Sequence, residues 1–291
     1  MTKYIFLSLR PRHWIKNMFI FLPLIFGRKL FILSAILKAT AAFFLFSMAA
    51  AAAYLINDIV DLEKDKLDPT KGLRPIASGK VGIKQALATS LVLIILSVTF
   101  SFILNVYLGW VIIAYLLLNF IYTKILKEIV IIDAFCISSF FLLRIIAGSV
   151  IEDIIPSHWL IFMTALLALF LAFIKRRQEL KLFETNAVIH RQVLIKYNAY
   201  FIDQMIAVIM SSIVAVYMLY TIDRRTVAEL GSNHLIYSIP FVYYGIFRYL
   251  YLVHRHGKGE DPTLILFSDT KMQINLILWI IVCIAVIYFR P

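Results

Sequence analysis

Uninterrupted apolar runs long enough to form spanning helices constrain this chain more than any other feature. Stretches such as 40-TAAFFLFSMAAAAAYLI-56 and 86-ALATSLVLIILSVTFSFIL-104 carry no charge, and a helix needs ~20 such residues to cross a hydrocarbon core of ~30 Å. A spanning barrel would show residue-by-residue alternation, which these runs lack. With 62% hydrophobic and only 16% charged residues among 291, the composition lies outside that of soluble domains. The expected fold is all-α, a polytopic integral membrane protein.

Windows of spanning length fall at 17–37, 40–57, 86–104, 106–122, 129–150, 158–174, 204–221, 234–253 and 272–289, which predicts nine spans. The first is the weakest, since Pro23 and the Arg28-Lys29 pair also allow a shorter span followed by an interfacial helix. Nine spans put the N-terminus and the loops after even-numbered spans on one side. Most Lys and Arg residues lie there, whereas the opposite side carries only Arg28, Lys29, Lys38, Arg224, Arg225 and Arg290. The positive-inside rule makes the basic side cytoplasmic, and the chain is expected in a bacterial plasma membrane.

The net charge of +12 sits in loops flanking the spans, where topology and anionic lipid account for it, so no nucleic-acid partner is expected. Cys136 and Cys283 fall inside predicted spans and read as small core residues, with no disulfide framework. No cleavable signal peptide is expected, because a basic, aromatic segment follows Met1. The histidines show no metal-ligand spacing.

Outer connections are short (105, 151–157, 222–233), whereas the cytoplasmic loops 57–85 and 175–203 are long and polar, the kind that carries function. Neither has a linker's composition, so residues 1–291 read as a single domain with active-site loops at 57–85 and 175–203. Each loop starts as a charged extension of the preceding helix, 57-NDIVDLEKD-65 and 175-KRRQEL-180. That suggests two parallel halves of four helices plus one, though the halves are too dissimilar to count as a repeat.

The first loop carries the chemistry. Asn57, Asp58, Asp61, Asp65 and Asp68 recur at three- and four-residue spacing, which stacks them on one face of a helix continuing from the second span. Stacked carboxylates repel, and a hard divalent cation relieves this; Mg²⁺ typically takes one or two carboxylates plus substrate phosphates. The bland alternative is a solvated helix end whose acids pair with Lys64 and Lys66. Against it, Pro69 ends the helix, and Gly72, Pro75 and Gly79 make a tight loop returning Lys71 and Arg74 toward the acids. Metal-binding acids beside phosphate-binding bases suit diphosphate chemistry.

N-D-x-x-D-x-x-x-D at the cytoplasmic end of the second span resembles the first aspartate-rich motif of the UbiA-type membrane prenyltransferase superfamily. The stretches 10-RPRHWIKN-17, 69-PTKGLRPIASG-79, 122-YTKILK-127, Asp133 with 144-RIIAG-148, 175-KRRQEL-180 and 259-GEDPTLILFSD-269 resemble its decaprenyl-phosphate phosphoribosyltransferase branch. The resemblance implies a nine-helix bundle around a central cavity open to the cytoplasm. It also implies Mg²⁺ as cofactor, phosphoribosyl pyrophosphate as donor and a polyprenyl phosphate as acceptor. One departure from the wider superfamily is that the loop after span six lacks a second D-x-x-x-D; it offers Glu179 and Glu184, with no aspartate until Asp203. A strong acidic cluster opposite a basic loop suits one metal-bound diphosphate and one phosphate held by cations.

In that reading Asp58, Asp61 and Asp65 are catalytic and, with Asn57, hold Mg²⁺ on the donor, while Lys71 and Arg74 neutralise the leaving pyrophosphate. The acceptor oxygen is already anionic, so no general base is required. Arg10, Arg12, Lys16 and Asn17 either anchor the N-terminus or bind lipid phosphate, with Lys16 the best binding candidate. Tyr122, Lys124 and Lys127 are either interface residues or substrate-binding ones. Lys175 and Arg176, oriented by Glu179, are candidates for the donor 5-phosphate or the lipid phosphate, and Tyr197 is a further substrate-binding candidate. Arg144 lies inside a span, where a charge is a functional candidate by default; its alternative is snorkelling toward Glu152 and Asp153. Asp133 lies about 16 Å along the same helix, too far to pair with it. Two other readings remain. An aromatic prenyltransferase should show the second aspartate motif, and an ion or lipid-phosphate transporter should concentrate its acids near the midplane. Oligomeric state is open, and a homo-oligomer is compatible with the sequence.

Overall fold

The computed structural model describes residues 2–186, 197–256 and 269–286; residues 187–196 and 257–268, with His190 and most of the 259–269 stretch, lie outside them. Among the described residues every regular element is helical. They fall into two compact units, one of residues 2–157 and the other built from residue 158 onward.

In the first unit a short helix α1 (Thr2–Ser8) leads into an eleven-residue 3-10 segment, Pro11–Phe21, and then α2 (Leu22–Phe26). Next come α3 (Leu33–Val60), α4 (Leu62–Leu67), α5 (Ile83–Leu104), α6 (Val106–Lys124) and α7 (Ile132–Ile151). The second unit holds α8 (His158–Asn186), α9 (Ala199–Ile222), α10 (Arg224–Leu230), α11 (Ile239–His256) and α12 (Thr270–Ile284). Six of these, α3 and α5 to α9, are long and apolar enough to cross a membrane.

Packing follows membrane rather than aqueous rules. The buried residues of α5 are all small, Ala86, Ser90, Ser97 and Ser101, while Leu87, Leu91, Ile95 and Ile103 face outward. Against that face lies α3, whose Ala49 to Ala53 run is buried, and Ser90 donates to the Ala52 carbonyl at 3.2 Å. Small residues let helix backbones approach closely where lipid leaves no hydrophobic drive for association. Asn105 makes the predicted one-residue turn between α5 and α6. Its side chain accepts from Tyr107 N and Leu108 N, capping α6, and donates to the Val150 carbonyl.

The start of the chain differs from expectation. The predicted spans 17–37 and 40–57 are divided elsewhere: the break lies at 27–32, and α3 takes residues 33–37 into one 28-residue helix. Pro23 sits in the first turn of α2, and the Arg28-Lys29 turn, with Arg28 at φ 55, ends the helix after five residues. Residues 11–21 wind as 3-10 rather than α. In the second loop, α8 continues past its span and carries residues 175–180 on the same helix, as the charged-extension reading expected.

Candidate active site

The end of α3 follows from its sequence: the helix runs to Val60, turns at Asp61 (φ −91, ψ 8) and resumes as α4 before Pro69. The Asp61 N–H still bonds to the Asn57 carbonyl at 2.9 Å, and Asp65 N–H to the Asp61 carbonyl at 2.8 Å, so the predicted stripe survives the turn. Asp58 and Asp65 are buried. One guanidinium nitrogen of Arg74 contacts both, at 3.2 Å from Asp58 Oδ1 and 2.5 Å from Asp65 Oδ2. Arg10 reaches the same Asp58 oxygen at 2.5 Å. Asp61 accepts from Lys127 Nζ at 2.6 Å, and Asn57 Oδ1 accepts from Thr123 Oγ1 at 2.6 Å.

The bland reading of this helix end does not survive. Lys64 and Lys66 pair with Glu128 and Glu63, at 3.1 and 2.7 Å, not with the aspartates. Asp68 leaves the stripe: α4 has ended, and its Oδ1 accepts from Thr70 N, Thr70 Oγ1 and Lys71 N within 3.0 Å. Burial alone would raise the Asp68 pKa, but the backbone N–H of Lys71 and the bonds from Thr70 outweigh it and hold the carboxyl well below the usual range. It is the staple of the loop. Lys71 pairs with Asp68 at 3.2 Å, so of the two predicted loop cations Arg74 is the one found on the stripe. Gly79, at φ 75, makes the positive-φ turn that closes the loop.

Sequence reasoning weighed Arg10 as an anchor or a lipid-phosphate ligand, not as a partner of the aspartates, and left Thr123 out of the site. Lys16 lies half-buried on the 3-10 segment. Tyr122 is buried with its ring edge-on to Phe140, and Lys124 is exposed, its ammonium 5.8 Å from the Phe120 ring centre.

Arg144 is 4% exposed and does not snorkel. Its Nε donates to Asn17 Oδ1 at 2.8 Å and its NH1 to the Phe140 carbonyl, and its guanidinium lies 5.0 to 5.5 Å from the rings of Phe46, Tyr115 and Phe141. Glu152, the other end of the snorkelling idea, pairs with Lys29 and Lys38.

In the second unit Arg176 is 1% exposed and pairs with Glu179 at 2.7 Å, as their spacing predicted. Arg177, unforeseen, pairs with Asp203 at 2.8 Å. Lys175 is exposed on α8, and Tyr197 is buried near the rings of Phe173 and Phe201.

Among the described residues no three His, Cys, Asp or Glu side chains converge as a closed metal cage. Asp58 and Asp65 nevertheless meet on one cationic nitrogen, so both can reach one cation. That donor set fits a hard ion completing its shell with substrate phosphates, not a self-sufficient protein site.

Residues 22–277 match the UbiA prenyltransferase family, and the chain belongs to that family; it is a membrane-embedded transferase. It is 32% identical to the decaprenyl-phosphate phosphoribosyltransferase of Corynebacterium glutamicum, covering 98% of this chain and 86% of that one. With the enzyme of that name from Mycolicibacterium smegmatis it shares 33% identity over 97% of this chain and 92% of the relative. It is also 30% identical to a digeranylgeranylglyceryl phosphate synthase of Sulfurisphaera tokodaii over 76% of each chain. The fold matches a UbiA homologue from Archaeoglobus fulgidus solved with GPP and Mg²⁺, with a TM-score of 0.69, 16% identity and coverage of 98% of this chain and 99% of that one.

Proposed function

We propose that the chain transfers 5-phosphoribose from phosphoribosyl pyrophosphate to a polyprenyl phosphate of the decaprenyl type, releasing pyrophosphate. The observation that carries this is the near end-to-end likeness to the decaprenyl-phosphate phosphoribosyltransferases. The absence from the sequence of a second D-x-x-x-D motif after α8 agrees with it.

In this reaction the bond from ribose C1 to the pyrophosphate oxygen breaks, and a lipid phosphate oxygen forms the new bond to C1. When bound, Mg²⁺ would neutralise charge on the pyrophosphate; Asp58, Asp61 and Asp65, with Asn57, would hold it. Arg74 and Arg10, already on these carboxylates, are placed to turn to the pyrophosphate as its charge grows, and Lys127 does the same beside Asp61. Lys71 secures the loop through Asp68. Lys175 or Arg176 meets a phosphate of donor or lipid, Glu179 orients Arg176, and Tyr197 backs the segment. The attacking oxygen is anionic, so the residues work by positioning and electrostatics.

The likeness to the family over residues 22–277 supports one catalytic domain, with the basic loops facing the cytoplasm. It also supports nine crossings, the other three being residues 11–26, α11 and α12. Eleven 3-10 residues at ~2.0 Å and five α-helical ones at ~1.5 Å give ~30 Å, a full hydrocarbon thickness.

A second reading is transfer of an isoprenyl group from its diphosphate, favoured by the digeranylgeranylglyceryl phosphate synthase relative and the GPP complex of the Archaeoglobus homologue. Membranes holding the protein, given labelled phosphoribosyl pyrophosphate, polyprenyl phosphate and Mg²⁺, should yield label in the lipid phase. Label entering an acceptor only from a prenyl diphosphate would establish the second reading instead.

A further inference from the structure

Two further stretches of the chain meet each other closely. On α7, Arg144 and Gly148 are one turn apart; on the 3-10 segment, so are Asn17 and Ile20. Arg144 Nε donates to Asn17 Oδ1 at 2.8 Å. A Cβ on Gly148 would lie 1.9 Å from the Ile20 carbonyl oxygen, so the two backbones touch where only glycine fits. The periodicities agree: four α-helical residues and three 3-10 residues each rise ~6 Å. The pairs follow the same order in both stretches, so the two run parallel.

The arrangement accounts for two costly features. A 3-10 run of eleven residues is far beyond the usual three or four, and here Asn17 and Ile20, one 3-10 turn apart, each meet a matching partner on α7. Among the described residues no carboxylate pairs with Arg144, whose buried charge is met instead by Asn17, a carbonyl and three ring faces. Asn17 Nδ2 in turn donates to Ser47 Oγ at 2.8 Å, tying the segment to α3 as well. Immediately before the segment lies Arg10, at φ 52, a conformation that non-glycine residues adopt only when their surroundings impose it. From there its guanidinium reaches Asp58.

We propose that Arg144 and Gly148 are positioning residues, which clamp the 3-10 segment through Asn17 and Ile20 and so set the Arg10 guanidinium on Asp58. The clamp acts on the donor side of the reaction through Arg10 and makes no contact with substrate; its kinetic consequence rests on the proposed reaction.

The test uses the full chain in lipid nanodiscs. Arg144→Gln, Arg144→Lys, Asn17→Ala and Gly148→Ala should each raise the apparent KM for phosphoribosyl pyrophosphate about tenfold while leaving that for the lipid phosphate unchanged. Each should add little to Arg10→Gln, because the same contact is already lost. Arg144→Lys is the discriminating variant: it keeps the charge but loses the bond to Asn17. If it restores wild-type donor KM, Arg144 binds an anion directly and the clamp is wrong. Equal loss toward both substrates, or full additivity with Arg10→Gln, also overturns it. Hydrogen exchange in residues 11–21 should rise about tenfold in Asn17→Ala, the mildest variant, with α5 unchanged. That measurement does not depend on the reaction: faster exchange in a protein that transfers no phosphoribose would leave the clamp standing and remove the donor assignment, while unchanged exchange would remove the clamp.

Discussion

The acidic stripe and the Arg176–Glu179 pair of α8 hold their charges by opposite routes. In the stripe each carboxylate is met by a cation from elsewhere in the chain: Asp58 from Arg10, 48 residues away, and Asp61 from Lys127, 66 residues away. On α8, Arg176 is met three residues on, by Glu179 of its own helix. A pair within one helix keeps its geometry whatever the rest of the fold does. A pair between distant segments reports on the tertiary structure, and can be released when a ligand competes for either partner.

The contrast is broken most severely by removing charge from the stripe. Asp61→Asn should lower turnover by at least ~10²-fold with no loss of folded protein, because metal and pyrophosphate would lose a carboxylate needed in the transition state. Activity retained at saturating Mg²⁺ would remove Asp61 from the catalytic set. On α8 the expected effect is smaller and selective. Arg176→Gln should raise the apparent KM of one substrate about tenfold, and Glu179→Gln should shift the same constant in the same direction by less. Equal effects on both substrates would make this pair a structural support.

The same contrast explains what the sequence could reveal. Helical spacing exposes contacts within one element, so the stripe, the α8 extension and the Arg176–Glu179 pair were legible. The tight loop also made Arg74 legible beside Asp58 and Asp65, but the distant partners Arg10 and Lys127 were not, since nothing local links residue 58 to 10 or residue 61 to 127. The 3-10 segment was hidden for another reason: from Met18 to Phe26 the sequence is apolar on every face, and the mixed residues 11–17 are too few to distinguish three residues per turn from 3.6. Asp68 shared the stripe's spacing, and only the following Pro69-Thr70 signalled that it would turn back on its own loop.

Asp68 sharpens the comparison from just beyond the stripe, because Thr70 and Lys71 of its own loop hold its Oδ1. Asp68→Ala should cost about 1–2 kcal/mol of stability through its lost backbone bonds, with far less effect on turnover than Asp61→Asn. Its folded pKa lies below the unfolded value of about 3.9, so its contribution is complete above that pH and is lost as pH falls through the folded value. The difference in thermal midpoint between wild type and Asp68→Ala should therefore be flat from about pH 5 to 8 and shrink only in stronger acid. A difference that fades near neutrality would mean that another group carries it.

The smallest effect is expected between the same two segments that Lys127 joins. Lys64 and Glu128 also link α4 to the turn after α6, but their side chains are 61% and 42% exposed, against 11% and 28% for Lys127 and Asp61. Water screens the exposed pair and its side chains give up rotamer freedom to form it, so Lys64→Gln should change stability by less than about 0.5 kcal/mol and leave both KM values alone. Lys127→Gln, one contact away, should raise the donor KM, and raising the salt concentration should not erase the difference between the two variants. If Lys64→Gln proved as damaging as Lys127→Gln, burial of the partners would not be what separates working charges from supporting ones. The phosphate-facing role of Lys127 would then have to be shared with the surface around it.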